Sequence, residues 1–92
     1  KFQSIDNRLF SAYLRFEVVD KPGVLSEITN IFSKNKVSIK RLVQNPDKFK
    51  KSSSIIIITH QAKDNALSKI IKEISRKKFI KFKPKLIRID DN

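Results

Sequence analysis

The stretch Tyr13-Leu14-Arg15-Phe16-Glu17-Val18-Val19-Asp20-Lys21-Pro22-Gly23-Val24-Leu25 decides the fold. Its first part alternates: Leu14, Phe16 and Val18 share one face, and Tyr13, Arg15 and Glu17 share the other. A period of two carried by aromatic and β-branched residues marks a half-buried strand, which reaches back to Ala12. Asp20-Lys21-Pro22-Gly23 then breaks the alternation. Pro22 has a φ suited to the first turn of a helix. Asp20 is placed to cap that helix or to sit beside its positive end. Beyond it, Val24, Leu25, Ile28, Ile31 and Phe32 recur at helical spacing as one apolar stripe.

Working outward, the helix is expected to stop near Asn35, a residue that tolerates a left-handed C-terminal position. Val37 to Val43 is expected to form the second strand, with Val37, Ile39 and Val43 on one face. Asn45-Pro46-Asp47 has turn chemistry, and 48–53 has the polarity of a loop. Ser54 to Thr59 is the third strand, apolar on both faces from Ile55 to Ile58. Asp64 is expected to cap a second helix with the stripe Ala66, Leu67, Ile70, Ile71 and Ile74. Phe82 to Ile89 completes the pattern, and Pro84, lacking an N–H, assigns that strand to a sheet edge. Residues 1–11 show no clean period and are taken as a linker or lead-in from an upstream catalytic region, ahead of a domain at 12–92.

The order is β-α-β-β-α-β. Right-handed crossovers place both helices on one face of a four-stranded antiparallel sheet, an α+β, ferredoxin-like sandwich. The first and third strands, the most apolar, take the centre. The opposite face of the sheet has no helix to cover it. Tyr13, Leu42, Ile56 and Ile57 are the candidates for apolar side chains there, and such a patch marks an interaction surface. Self-association as a homodimer, by face packing or edge pairing, is one reading. Cover by another part of a longer protein is the other.

Composition narrows the function. The 92 residues contain no Cys, one His and one Gly. This excludes disulfides, thiolate metal sites and a Gly-rich phosphate loop. No catalytic residue and no metal ligand is nominated, and no cofactor is assigned to the chain itself. No apolar run approaches a membrane span, no signal peptide is visible, and a cytoplasmic location is expected. The absence of Met suggests a piece of a longer protein. The net charge of +12 invites a polyanionic partner. A Lys- and Ile-rich habit runs through the whole chain, however, and the third strand has no aromatic platform for bases. Nucleic acid therefore ranks below the other partners.

The turn at 20–25 carries binding physics. Free backbone N–H groups at a helix start attract a carboxylate. Gly23 lets a ligand approach the backbone, and Asp20 can receive an ammonium group. The set suits a zwitterionic amino acid, and equally it suits nothing more than a well-formed helix start.

These same residues carry a resemblance. Tyr13-Leu14-Arg15-Phe16, Asp20-Lys21-Pro22-Gly23-Val24-Leu25, Ile28 and Ile31 resemble the ACT domain family. Val37-Ser38-Ile39, Val43-Gln44, Ile55 to Thr59-His60 and Pro84-Lys85-Leu86-Ile87-Arg88-Ile89 narrow the likeness to the C-terminal ACT domain of bacterial homoserine dehydrogenases. The resemblance implies a parent enzyme that reduces aspartate semialdehyde to homoserine with NAD(P), its catalytic domains lying upstream. The implied role of this chain is feedback sensing of an amino acid, threonine foremost. It nominates Asp20, Lys21, Pro22, Gly23, Val24 and Leu25 as effector-binding, completed by Ser38, Ile39 and Gln44 of a neighbouring subunit. A ligand-free dimerisation module is the alternative. Where similar sequences place Gly before the second strand, this one has Lys36.

Overall fold

The computed structural model describes residues 9–89. The elements run β1 (Leu9–Val19), α1 (Val24–Lys34), β2 (Ile39–Asp47), β3 (Ser52–Thr59), β4 (Ala62–Lys63), α2 (Asp64–Ser75) and β5 (Lys85–Ile89). The antiparallel sheet has the order β2-β3-β1, and β4 and β5 both pair with β1. The expected architecture is thus present, with β1 and β3 central.

The covered face explains why these residues order themselves. Leu14 and Phe16 of β1 pair with Ile57 and Ile55 of β3 in register. All four are fully buried beneath Ile28, Ile31 and Phe32 of α1 and Leu67, Ile70 and Ile74 of α2. Phe16 and Phe32 meet edge to face, 6.4 Å between ring centroids, a favoured geometry for the ring quadrupoles. Burying each large apolar side chain contributes about 1.5–3 kcal/mol. The helices run alongside each other, tied at their surface by Lys34–Glu73 (2.6 Å) and Lys77–Glu27 (3.5 Å).

The second strand begins at Ile39 rather than Val37 and departs from expectation in two further ways. It continues through Asn45-Pro46-Asp47 to pair with β3, and the loop shrinks to 48–51. Pro46 is tolerated because β2 is an edge strand, where a missing N–H need not break a ladder. The turn chemistry belongs to Asp47, whose Oδ1 accepts from the N–H groups of Phe49 and Lys50 at 3.1 and 3.3 Å. Second, the register skips between Ile39 and Arg41, leaving Lys40 as a bulge. A one-residue slip exchanges the faces. Leu42 lies opposite Ile57 and packs against the core, while Val43 lies opposite Ile56 on the open face. Leu42 and Ile57 are therefore not open-face residues. Ile57 is 0% exposed, and Val43, at 40%, takes the place assigned to Leu42. Tyr13 and Ile56 lie where expected, joined by Ile58 and Ile87.

The sheet's other edge is built in pieces. β1 begins at Leu9, so Leu9, Phe10 and Ser11 of the expected lead-in belong to the sheet; residues 1–8 lie outside the described residues. Leu9 and Phe10 pair with the two-residue β4, too short to show a period. At the other end of β1, Ile80 bridges to Val18, Val19 N–H donates to Phe79 (2.8 Å) and Lys81 N–H to Glu17 (2.8 Å). Between these contacts and β5, residues 82–84 leave the ladder. Pro84 is buried just ahead of β5 rather than within a strand.

Helix ends differ as well. Gly23 is the N-cap of α1, with φ 89°, so Pro22 stands outside the helix and no side chain caps it; Asp20 does not do so. At the other end Asn35 has φ −91°, and the left-handed residue is Lys36, φ 61°. Lys36 N–H donates to Ser33 O (2.9 Å) and Val37 N–H to Phe32 O (3.0 Å). This is the Schellman pattern, which normally places glycine where Lys36 stands. Asp64 is the first residue of α2 rather than its cap, and its carboxylate holds Arg88 of β5 at 2.6 Å.

Candidate functional site

The turn between β1 and α1 is held at both ends. Asp20 N–H donates to Lys51 O at 3.0 Å, and Lys21 N–H to Val19 O at 3.0 Å. Gly23 φ lies in the left-handed region, where a β-carbon is strained, although none of the described residues lies within 4 Å of where one would stand. The open space on that side is itself a feature of the site. Glu27 N–H closes the first helical bond onto Gly23 O (3.0 Å). The N–H groups of Leu25 and Ser26, in the first turn of α1, have no hydrogen-bond partner among the described residues. They carry the positive end of the helix dipole.

Beside this turn lies a cleft of about 380 Å³ lined by Val19, Lys21, Pro22, Val24, Glu27 and the segment Lys77-Lys78-Phe79. Of the sequence-nominated residues, Lys21, Pro22 and Val24 line this cleft, whereas Asp20, Gly23 and Leu25 belong to the same turn but do not line it. Asp20, Lys21, Pro22 and Gly23 are exposed, Val24 is buried and Leu25 is half-buried. The segment 77–79 was not legible as part of the site. It is more than fifty residues away in the chain, and it is carried there by tertiary contacts: the hydrogen bond of Val19 to Phe79, the neighbouring Ile80–Val18 bridge and the Lys77–Glu27 pair.

Ser38 and Ile39 lie elsewhere. Ile39 pairs with Thr59, and Ser38 O accepts from His60 N–H at 2.9 Å, at the end of the sheet remote from the Asp20 turn. The eleven-residue α1 separates the two groups, a length of roughly 16 Å. Gln44 is exposed on β2, opposite Ile55. The two nominated groups therefore do not meet within one copy of the chain.

Thr59 and His60, part of the resemblance, have local duties. Thr59 is fully buried, and its Oγ1 accepts from Ala12 N–H at 3.0 Å, just past the Tyr13–Ile58 pair where the β1–β3 ladder stops. Arg88, also quoted for the resemblance, ties β5 to the start of α2 through Asp64 and lies 5.2 Å from the ring of Phe10. Among the described residues, no group of three or more His, Cys, Asp or Glu side chains is arranged to hold a metal, and no helix is long and apolar enough to cross a membrane.

A sheet covered on one face by two helices, with a glycine turn opening a cleft at the end of its first central strand, defines a small ligand-binding or assembly module. The ACT domain family model matches residues 12–78, and the chain belongs to that family. It is similar to homoserine dehydrogenase of Methylobacillus glycogenes, 32% identical over 80 residues that make up 86% of this chain and 19% of that protein. It is also similar to homoserine dehydrogenase of Bacillus subtilis, 28% identical over 87% of this chain and 19% of that protein. A crystal structure of a homoserine dehydrogenase from Thiobacillus denitrificans superposes with a TM-score of 0.82 and 29% identity, over 95% of this chain and 19% of that one. The ACT domain of a GTP pyrophosphokinase from Chlorobium tepidum, at 19% identity, shares the fold with a TM-score of 0.72, over 87% of this chain and 100% of that one. The chain spans about a fifth of the length of the homoserine dehydrogenases it matches. It is a regulatory ACT domain related to the ACT region of those enzymes.

Proposed function

We propose that this domain binds a free amino acid, threonine first among the candidates, and transmits its presence to an enzyme that reduces aspartate semialdehyde to homoserine in the cytoplasm. The observation that carries the reading is the Gly23 turn. It offers two unpartnered helix N–H groups, an open space at a left-handed glycine and an exposed carboxylate at Asp20, all within one short turn whose Lys21, Pro22 and Val24 line the neighbouring cleft. The N–H groups suit the α-carboxylate of an amino acid, and Asp20 suits its ammonium group. Coupling of the usual allosteric size is about 1–3 kcal/mol. The NAD(P) of such an enzyme has no place in this chain, whose single glycine cannot build a dinucleotide phosphate loop.

The site is completed by a homodimer. β2 is a free edge. Antiparallel pairing with β2 of a second copy, centred on Val43, sets Ile39 of that copy opposite Asp47. Asp47 pairs with Ser52 beside Lys51, whose carbonyl holds Asp20 N–H. The pairing thus carries the Ser38–Ile39 half-site to the end of the sheet where the glycine turn lies. The test is a calorimetric titration with threonine alongside sedimentation. We expect a dimer whose threonine affinity falls on Asp20→Ala without loss of folding stability. Unchanged affinity in that variant would remove Asp20 from the site.

A second reading, a dimerisation module with no effector, has one observation in its favour. Glu27 and Lys77, both at the cleft, are already joined to each other at 3.5 Å. It expects the same dimer, indifferent to every amino acid.

A further inference from the structure

The open face of the sheet is a second surface, distinct from the glycine turn and from the β2 edge. Two rows cross it. One reads Ile87, Tyr13, Ile58, Arg41 and the next Lys85, Arg15, Ile56, Val43. Arg15 apart, the middle of the face is apolar, with Tyr13, Ile56 and Ile58, and Ile87 (58% exposed) and Val43 (40%) extend it toward opposite edges. An antiparallel sheet that faces only water would alternate to polar residues here. A cleft of about 460 Å³ adjoins the rows, with Lys50 and Lys81 among its walls.

The charges around that centre have one sign to spare. Glu17 is engaged by Arg15 (3.2 Å) and by the Ser54 hydroxyl (2.6 Å), and Asp47 by two backbone N–H groups of the hairpin. Among the described residues, none of Arg41, Lys50, Lys81 and Lys85 is in an ion pair. A second copy stacked on this face would therefore set unpaired cations against unpaired cations, which disfavours that packing. Nucleic acid would satisfy the cations, but four of the five apolar side chains in the rows are aliphatic, which leaves only Tyr13 and, in the adjoining cleft, Phe82 as rings for bases to stack on.

We propose that this face docks a partner protein whose contact surface is aliphatic at its centre and ringed by carboxylates, and that it does not pack against its own copy. Such a partner buries Ile56, Ile58 and Ile87 and pairs the four free cations at the rim, where they steer encounter and set orientation.

The test uses the full chain and two fluorescent helical peptides, read by anisotropy at low and at physiological salt. One peptide has a leucine stripe flanked by glutamates; its twin has lysine in place of every glutamate. A uracil oligonucleotide and sedimentation of the protein alone complete the set. The expected result is binding of the glutamate peptide at least about 10-fold tighter than its twin, weakened about 10-fold or more by Ile87→Asp and again by Arg41→Glu together with Lys85→Glu. Ile87 is more than half exposed, so its variant folds; the double charge reversal tests the rim without touching the apolar centre. Equal binding of the twins, no binding of either, tighter binding of the oligonucleotide, or a dimer that Ile87→Asp dissociates would each overturn the proposal. A dimer that persists in Ile87→Asp is the one expected from the β2 edge, so the two interfaces are separable.

Discussion

The two faces of one strand, β3, carry almost the same side chains and meet different fates. Ile55 and Ile57 are fully buried under two helices, whereas Ile56 and Ile58 look out from a face that no element among the described residues covers. Identical chemistry thus serves folding on one side and remains available for recognition on the other. The difference lies in the crossovers, which put α1 and α2 on the same side.

The comparison is broken first by truncation. Ile57→Ala should cost about 2–5 kcal/mol, since the cavity stays sealed beneath the helices. Ile56→Ala should cost about 1 kcal/mol or less. Urea denaturation of both variants reads the difference, and equal losses would mean that the open face is closed in solution. Next comes the buried seam where the β1–β3 ladder ends. Thr59→Val keeps the shape but leaves the Ala12 N–H without its acceptor, for an expected loss of about 1–3 kcal/mol. Thr59→Ser should restore most of it.

A gain is expected at the end of α1 that anchors the covered face. Lys36 holds a left-handed φ that glycine adopts freely, so Lys36→Gly should raise stability by about 1 kcal/mol. A lower melting temperature in that variant would mean that the lysine side chain contributes packing that outweighs its backbone strain. The smallest effect belongs to the helix surface. Lys34→Ala removes the exposed pair with Glu73 for about 0.2–1 kcal/mol, and the loss should vanish at high salt.

Most of the covered face was legible in the sequence. The alternation of Leu14, Phe16 and Val18 and the stripes of both helices are periodic signals, and burial enforces them. The open face was half legible. Nothing near Lys40 announces a bulge, yet that one residue moves Leu42 into the core and Val43 out of it. Pro46 was misread because proline stops a strand only where its N–H is needed, and an edge strand does not need it. The fourth strand was begun three residues early, at Phe82, because nothing at 82–83 is a strong breaker; the strand starts only at Lys85, and the separate Ile80 bridge was not foreseen. At the glycine turn, the six contiguous residues were legible because they are local. Lys77, Lys78 and Phe79 were not, because only tertiary pairing brings them there.

The central claim is that the Gly23 turn serves a ligand, and a thermal-shift panel of the proteinogenic amino acids tests it most directly. An effector present at about 100 times its dissociation constant stabilises by about 2.7 kcal/mol, roughly ten degrees or more for a domain of this size. We predict a selective shift with threonine or a close analogue that Asp20→Ala diminishes. A flat response to every amino acid, from a protein shown to be dimeric in the same buffer, would contradict the claim and leave the domain an assembly module.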